Sequence, residues 1–234
     1  MRFLLSQYVS YPETMLHFKS LSITAACALL ALTGCGGGND DPPQTFTTQI
    51  LSDSGYDGDI EQTGPDSATV TQGMSPTVQN VLAGIDPVAG TEFRAFLDFP
   101  LTGSGGVPGD ATIDSAFLEV FIDDLQPTNA VVPVRVELVT FQPPTLLPTD
   151  FDRTLQPPLA AVRRSPQLAA ADVGTYVPID VTSLMVEAQR RGLPDFQVRI
   201  MEDLGPPITG LFAIDDSTGS NRAARAPLLT VTYF

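Results

Sequence analysis

From Phe46 onward, apolar and polar residues alternate over short runs separated by clusters of Gly, Pro and Asp, the pattern of strands that bury one face. In Phe93-Arg94-Ala95-Phe96-Leu97-Asp98-Phe99, positions 93, 95, 97 and 99 form one apolar face. Ala116, Leu118, Val120 and Ile122 form a second, and Val132, Val134, Val136 and Leu138 a third. Phe196-Val198-Ile200, Leu211 to Ile214 and the closing Leu228 to Phe234 read the same way. Successive side chains of a strand point to opposite faces, so a period of two marks one wetted and one buried side. One segment departs from it. Thr182 to Arg191 reads as a helix, with Thr182 at its cap, Arg190 and Arg191 at the negative end of its dipole, and Gly192 stopping it. One short helix among many strands argues against α/β, which interleaves helices between strands. The prediction is a mainly β fold, an antiparallel β-sandwich with one short helix. The Pro-rich stretch from Gln142 to Pro166 is expected to be a loop or an irregular strand pair.

Upstream the pattern is different. Met15 to Cys35 has a basic start at Lys19, an apolar run from Leu21 to Leu32 and then small residues, the layout of an export signal. The run falls short of the about 20 apolar residues that span a bilayer. Leu32-Thr33-Gly34-Cys35 resembles the bacterial lipobox, which implies acylation of Cys35 and cleavage before it. Two or three acyl chains hold a protein on a membrane durably, since each buried methylene contributes about 0.8 kcal/mol. Met1 to Thr14, with Pro12 and Glu13, does not resemble the start of a leader, so translation is expected to begin at Met15. The expected organisation is a signal peptide over 1–34, a lipidated cysteine and tether over 35–48, and one sandwich domain over 49–234. The tether from Gly36 to Thr48 reaches at most about 45 Å when extended. Gly36 rather than aspartate follows the cysteine, which by resemblance to the sorting rule of Gram-negative lipoproteins favours the outer membrane.

Charge narrows the chemistry. The net charge is -15, and Lys19 and His17, the sole lysine and histidine, precede Cys35. Beyond Cys35 the chain has ten arginines against twenty-six acids, and no Lys, His, Cys or Trp. Nucleic acid is therefore an improbable partner, because phosphate chains need clustered cations. Once the leader is cut, no Ser-His-Asp or Cys-His set and no zinc site on His or Cys can form. Paired carboxylates remain able to hydrolyse glycosides, but no spacing singles out a pair.

Asp57-Gly58-Asp59-Ile60, Arg94-Ala95-Phe96-Leu97-Asp98-Phe99-Pro100-Leu101, Ala111 through Val120, Ile179-Asp180-Val181-Thr182-Ser183-Leu184 and Ala226 through Tyr233 follow one another in an order that resembles the DNRLRE, or disaggregatase-related, domains. The resemblance spans nearly the whole domain. It implies a secreted jelly-roll module of the kind attached to surface proteins and polysaccharide-active enzymes, some members of which bind acidic polysaccharides. A literal DNRLRE string is absent, and the helix after Val181-Thr182 lacks the tryptophan of many relatives.

Two sets of site residues follow. Calcium takes six to eight oxygens, and the densest run of them is Asp53, Asp57 and Asp59, with Asp66 nearby; the alternative is a solvated turn. Asp123-Asp124 and Asp215-Asp216 read as turn residues. Arg163, Arg164, Arg222 and Arg225 are the candidates for bidentate contacts with uronate carboxylates. The expected function is a lipid-anchored, non-enzymatic envelope or surface module that binds polysaccharide. The alternatives are an assembly lipoprotein that binds an envelope protein and a polysaccharide-degrading enzyme.

Overall fold

A computed structural model describes residues 43–64, 67–73, 80–141, 145–204 and 210–234. The leader, Cys35 and Asp66 lie outside the described residues. In chain order the elements are β1 (Phe46–Leu51), β2 (Gly58–Gly64), β3 (Ser67–Gln72), β4 (Asn80–Ile85), β5 (Glu92–Pro100), β6 (Ile113–Gln126), β7 (Val131–Val132), β8 (Val134–Val139), β9 (Ala160–Arg163), β10 (Leu168–Ala169), β11 (Tyr176–Asp180), α1 (Thr182–Arg191), β12 (Asp195–Glu202), β13 (Gly210–Asp215), α2 (Arg222–Arg225) and β14 (Leu228–Tyr233). The strand β1 takes in Phe46 to Thr48, which composition places in the tether. Among the described residues no helix is long and apolar enough to cross a membrane.

The fold is mainly β, as the alternation predicts. One curled antiparallel sheet runs β1-β14-β6-β13-β4-β5-β12-β8-β9, with β11 added on β6 and the β2–β3 hairpin on β5. The sheet turns back on itself as a sandwich. The strand β6 makes the turn: residues up to Phe121 pair with β14 and β11, and residues from Ile122 pair with β13. Ala213 pairs with Asp124 and Ile214 with Ile122, which leaves Asp123 as the extra residue of a bulge. Asp123 and Asp124 thus lie inside a strand, not in the turn the sequence suggests.

The central core is built from the predicted faces. Ala95, Leu97 and Phe99 of β5 meet Leu118, Val120 and Ile122 of β6, Val134, Val136 and Leu138 of β8, and Phe196, Val198 and Ile200 of β12. Each such side chain contributes about 1.5–3 kcal/mol relative to exposure, so a register slip of one residue would forfeit a whole face. The helix α1 closes one side with Leu184, Met185 and Ala188. Its C-terminus is as predicted, since Gly192 adopts φ 63°. Its N-terminus is not. Thr182 is the first helical residue; the Asp180 carboxylate accepts its N–H at 2.9 Å, and its own hydroxyl accepts the Ala116 N–H at 3.0 Å, tying the helix to β6.

A second, smaller core lies on the other face of the sheet. Leu146 and Phe151, from the segment between β8 and β9, pack on Ile60, Phe96, Val139 and Phe141. A single 3-10 turn, Pro148–Phe151, shapes this segment. It lies over the outward faces of β5, β8 and β12 as a strap, and it touches buried polar residues that alternation alone assigns to solvent: Arg94, Glu137, Gln197 and Arg199.

Candidate functional site

The strap is bound by charge as well as by apolar contact. Arg199, with no exposed surface, donates to Glu137 Oε2 from Nε at 3.0 Å and from Nη2 at 2.6 Å. Its Nη1 donates to the Asp150 carbonyl at 2.7 Å and Nη2 to the Gln156 carbonyl at 3.2 Å. The other carboxylate oxygen of Glu137 receives Arg135 Nε and Arg153 Nη2, each at 2.7 Å. Burial pulls the Glu137 carboxyl upward, yet the hydrogen bonds from Arg199 and Arg135 outweigh it and hold it below the usual carboxylate range. Arg94 donates to the Phe151 carbonyl and stacks 3.8 Å above the Phe151 ring. Two strand arginines therefore grip the backbone of the strap.

Where the strap meets the β2–β3 hairpin, it leaves an open groove of about 680 Å³. Gln62, Ser67 and Ala68 form one wall, Arg94 the floor, and Thr149, Asp152, Arg153 and Leu155 the other wall. Arg153 keeps 41% of its side chain exposed while paired to Glu137. Asp152 is the one carboxylate in this lining, and hydrogen bonds from the Thr154 N–H and hydroxyl hold it below the usual range. Glycosidases need two carboxyls across a sugar, the acid partner with its pKa raised. A planar amide, hydroxyls and guanidinium groups along an open floor are instead the donors that hold sugar hydroxyls and carboxylates.

A separate acidic pocket lies where β2 begins. Asp57, Asp59 and Asp216 border a cavity of about 10 Å³, with Asn80, Thr71 and Gly58. Asp57 is 1% exposed, and its Oδ1 accepts the Asp98 N–H at 2.8 Å. Burial first, and then the nearby charge of Asp216, push its carboxyl well above the usual range. Burial lifts Asp59 to about 7, against one hydrogen bond from the Leu82 N–H, and lifts Asp216 to about 6 despite Arg222. Among the described residues no three acidic, histidine or cysteine side chains converge at the spacing of a metal cage.

Of the four acids singled out by composition, Asp57 and Asp59 reach this pocket. Asp53 does not: it is exposed, and its carboxylate accepts the Gly55 N–H at 2.9 Å to close a turn. The third acid of the pocket is Asp216, which follows β13 and is far from Asp57 in sequence. The four candidate arginines do not converge. Arg163 pairs with Asp203 at an outer strand, and Arg164 is held by Asp172 at 3.0 Å. Arg222 reaches Asp216 at 3.4 Å and the Ser52 carbonyl. Arg225 reaches Asp215 at 3.4 Å and lies 4.8 Å from the Phe121 ring centroid. All four answer acids of their own chain, as do Arg94, paired with Glu92 at 2.7 Å, and Arg153, paired with Glu137 at 2.7 Å; what sets the latter two apart is that they line one groove. The groove arginines, Arg94 and Arg153, escape a sequence reading because one sits mid-strand and the other on the strap.

Comparison with protein-family models finds no matching family, and comparison with curated proteins finds no similar chain.

Proposed function

We propose that this chain is a lipid-anchored envelope module that binds an acidic polysaccharide without cleaving it, through the groove between the strap and the β2–β3 hairpin. The groove carries the reading: an open channel with Arg94, Arg153 and Gln62 in its lining suits an extended polymer with carboxylates. The lipobox-like Leu32-Thr33-Gly34-Cys35 and the ordered strings that resemble DNRLRE domains support the same reading. Phe151 is buried beneath Arg94 and no tryptophan is present, so charge and hydrogen bonds supply the attraction in place of stacking. Binding should therefore be weak, and it should decline as salt shortens the screening length to about 8 Å at physiological strength.

A glycan array run with the chain at two salt concentrations tests this. The expected result is salt-sensitive binding to uronate polymers that Arg153→Ala abolishes and that an Arg222→Ala, Arg225→Ala double variant retains. A clean array, or reducing ends or unsaturated uronates released from any polymer, would overturn the reading. The double variant losing binding while Arg153→Ala keeps it would move the site to the α2 region.

A further inference from the structure

We propose that the cavity at the start of β2 is a site for one hard divalent cation of the calcium type, held by Asp57 and Asp216 with Asp59 and Asn80 beside them. The oxygen that carries this is Asp57 Oδ2. Asp57 lines the cavity, and this oxygen is shielded from solvent and makes no hydrogen bond of proper geometry. Ser52 and Asp216 both stand close enough to act on its charge, but neither closes a hydrogen bond of proper geometry with it, and the Ser52 hydroxyl is itself unpaired. Buried polar atoms in folded proteins are nearly always satisfied, so an orphan calls for an explanation.

Ionised carboxylates only accept. Asp216 cannot satisfy Asp57, nor Asp57 Asp216, unless something positive lies between them: a shared proton or a metal ion. Arg222 does not fill the role, because its Nη1 reaches only Asp216, at 3.4 Å, and its Nη2 donates to the Ser52 carbonyl. The cavity, about 10 Å³, admits roughly one water-sized sphere. Its wall offers neutral oxygens as well. A Cβ on Gly58 would stand 2.3 Å from the Thr71 carbonyl oxygen, so glycine there permits close approach of that backbone. Asn80 borders the same space, its amide nitrogen already donating to Asp123 at 3.1 Å.

Carboxylates, an amide and carbonyls, with no nitrogen or sulfur ligand, suit calcium over zinc. Magnesium demands a stricter octahedron. With few converging carboxylates the affinity belongs with the weak sites of extracellular modules, a Kd of about 10⁻⁴–10⁻³ M. The donors come from the start of β2, the start of β4 and the segment after β13, so one ion would tie three distant parts of the chain together.

The test uses the full chain in detergent, stripped with chelator near pH 7.5, and compares thermal unfolding in chelator with that in about 5 mM calcium or magnesium chloride. Calcium should raise Tm by at least about 3 °C and magnesium by much less. Calorimetry should find one calcium per chain, and Asp57→Asn or Asp216→Asn should remove the response. Terbium should luminesce through Tyr56, in a chain without tryptophan, and calcium should quench it. Asp53→Asn should keep the whole response, because that carboxylate serves only its own turn. The wild-type comparison needs no variant to fold: equal Tm in chelator and calcium, with no binding heat, would overturn the proposal and leave the shared proton. Loss of the response in Asp53→Asn would overturn this donor set.

Discussion

Single carboxyls in this domain answer to two opposed environments. Asp57, Asp59, Asp98 and Asp216 are buried, and burial lifts all four: Asp57 well above the usual range, Asp59 to about 7, and Asp98 and Asp216 to about 6. A group that binds its proton more tightly folded than unfolded lends stability that is complete below its unfolded pKa and is lost as pH rises through the folded one. Asp86, Asp152, Asp180 and Glu137 are held low instead, the first three by local hydrogen bonds and the last by arginines. Their contribution is present above the unfolded pKa and is lost as pH falls through the folded one. In chelator, Tm should therefore peak near pH 4 and fall as pH rises to about 7, the window between the ordinary carboxyl pKa and the raised values. Circular dichroism melts at half-unit pH steps measure this directly. A Tm that is flat or rising from about pH 4 to 7 would show that burial does not govern these acids.

At the scale of elements, the strap between β8 and β9 turns a one-faced sheet into a two-faced one. Glu137 is its hinge point, serving Arg135, Arg153 and Arg199 at once. Glu137→Leu alone should cost about 3–5 kcal/mol, because it strands a buried guanidinium. Adding Arg199→Leu should recover part of that loss, since the uncompensated charge goes with it; urea unfolding of both variants and the wild type is the measurement. Additive losses would mean that the pair does not act as a unit. This is also where the sequence stops being legible. Every apolar face read from the alternation contributes to the central core, since a strand's own pattern declares which side is dry. Arg94, Glu137 and Arg199 alternate just as cleanly, and for that reason read as wetted; what covers them is a segment with no periodicity of its own. Asp57 and Asp59 are visible as a pair because they are neighbours in sequence. Asp216 joins them only through the pairing of β13 with β4, which no local pattern encodes.

For the molecule as a whole, the first and the last described strands of the domain meet at one edge. Cys35→Ala should release the chain from the membrane pellet of a Gram-negative host or leave it unprocessed, as fractionation and mass spectrometry of the N-terminus would show. An unmodified Cys35 in the wild type would remove the anchor from the proposed function. The first described strand, β1, pairs along its length with β14, from Phe46 opposite Tyr233 to Leu51 opposite Leu228. A chain is made from its N-terminus, so β1 exists long before its partner does. Its Ile50, destined for the core, and its unpaired backbone stay open throughout synthesis. Closing so long a loop also places the domain among slow folders, in the range of milliseconds to seconds. Until β14 is made, that open edge is a template for any other chain that can pair with it, and its closure is what withdraws the template.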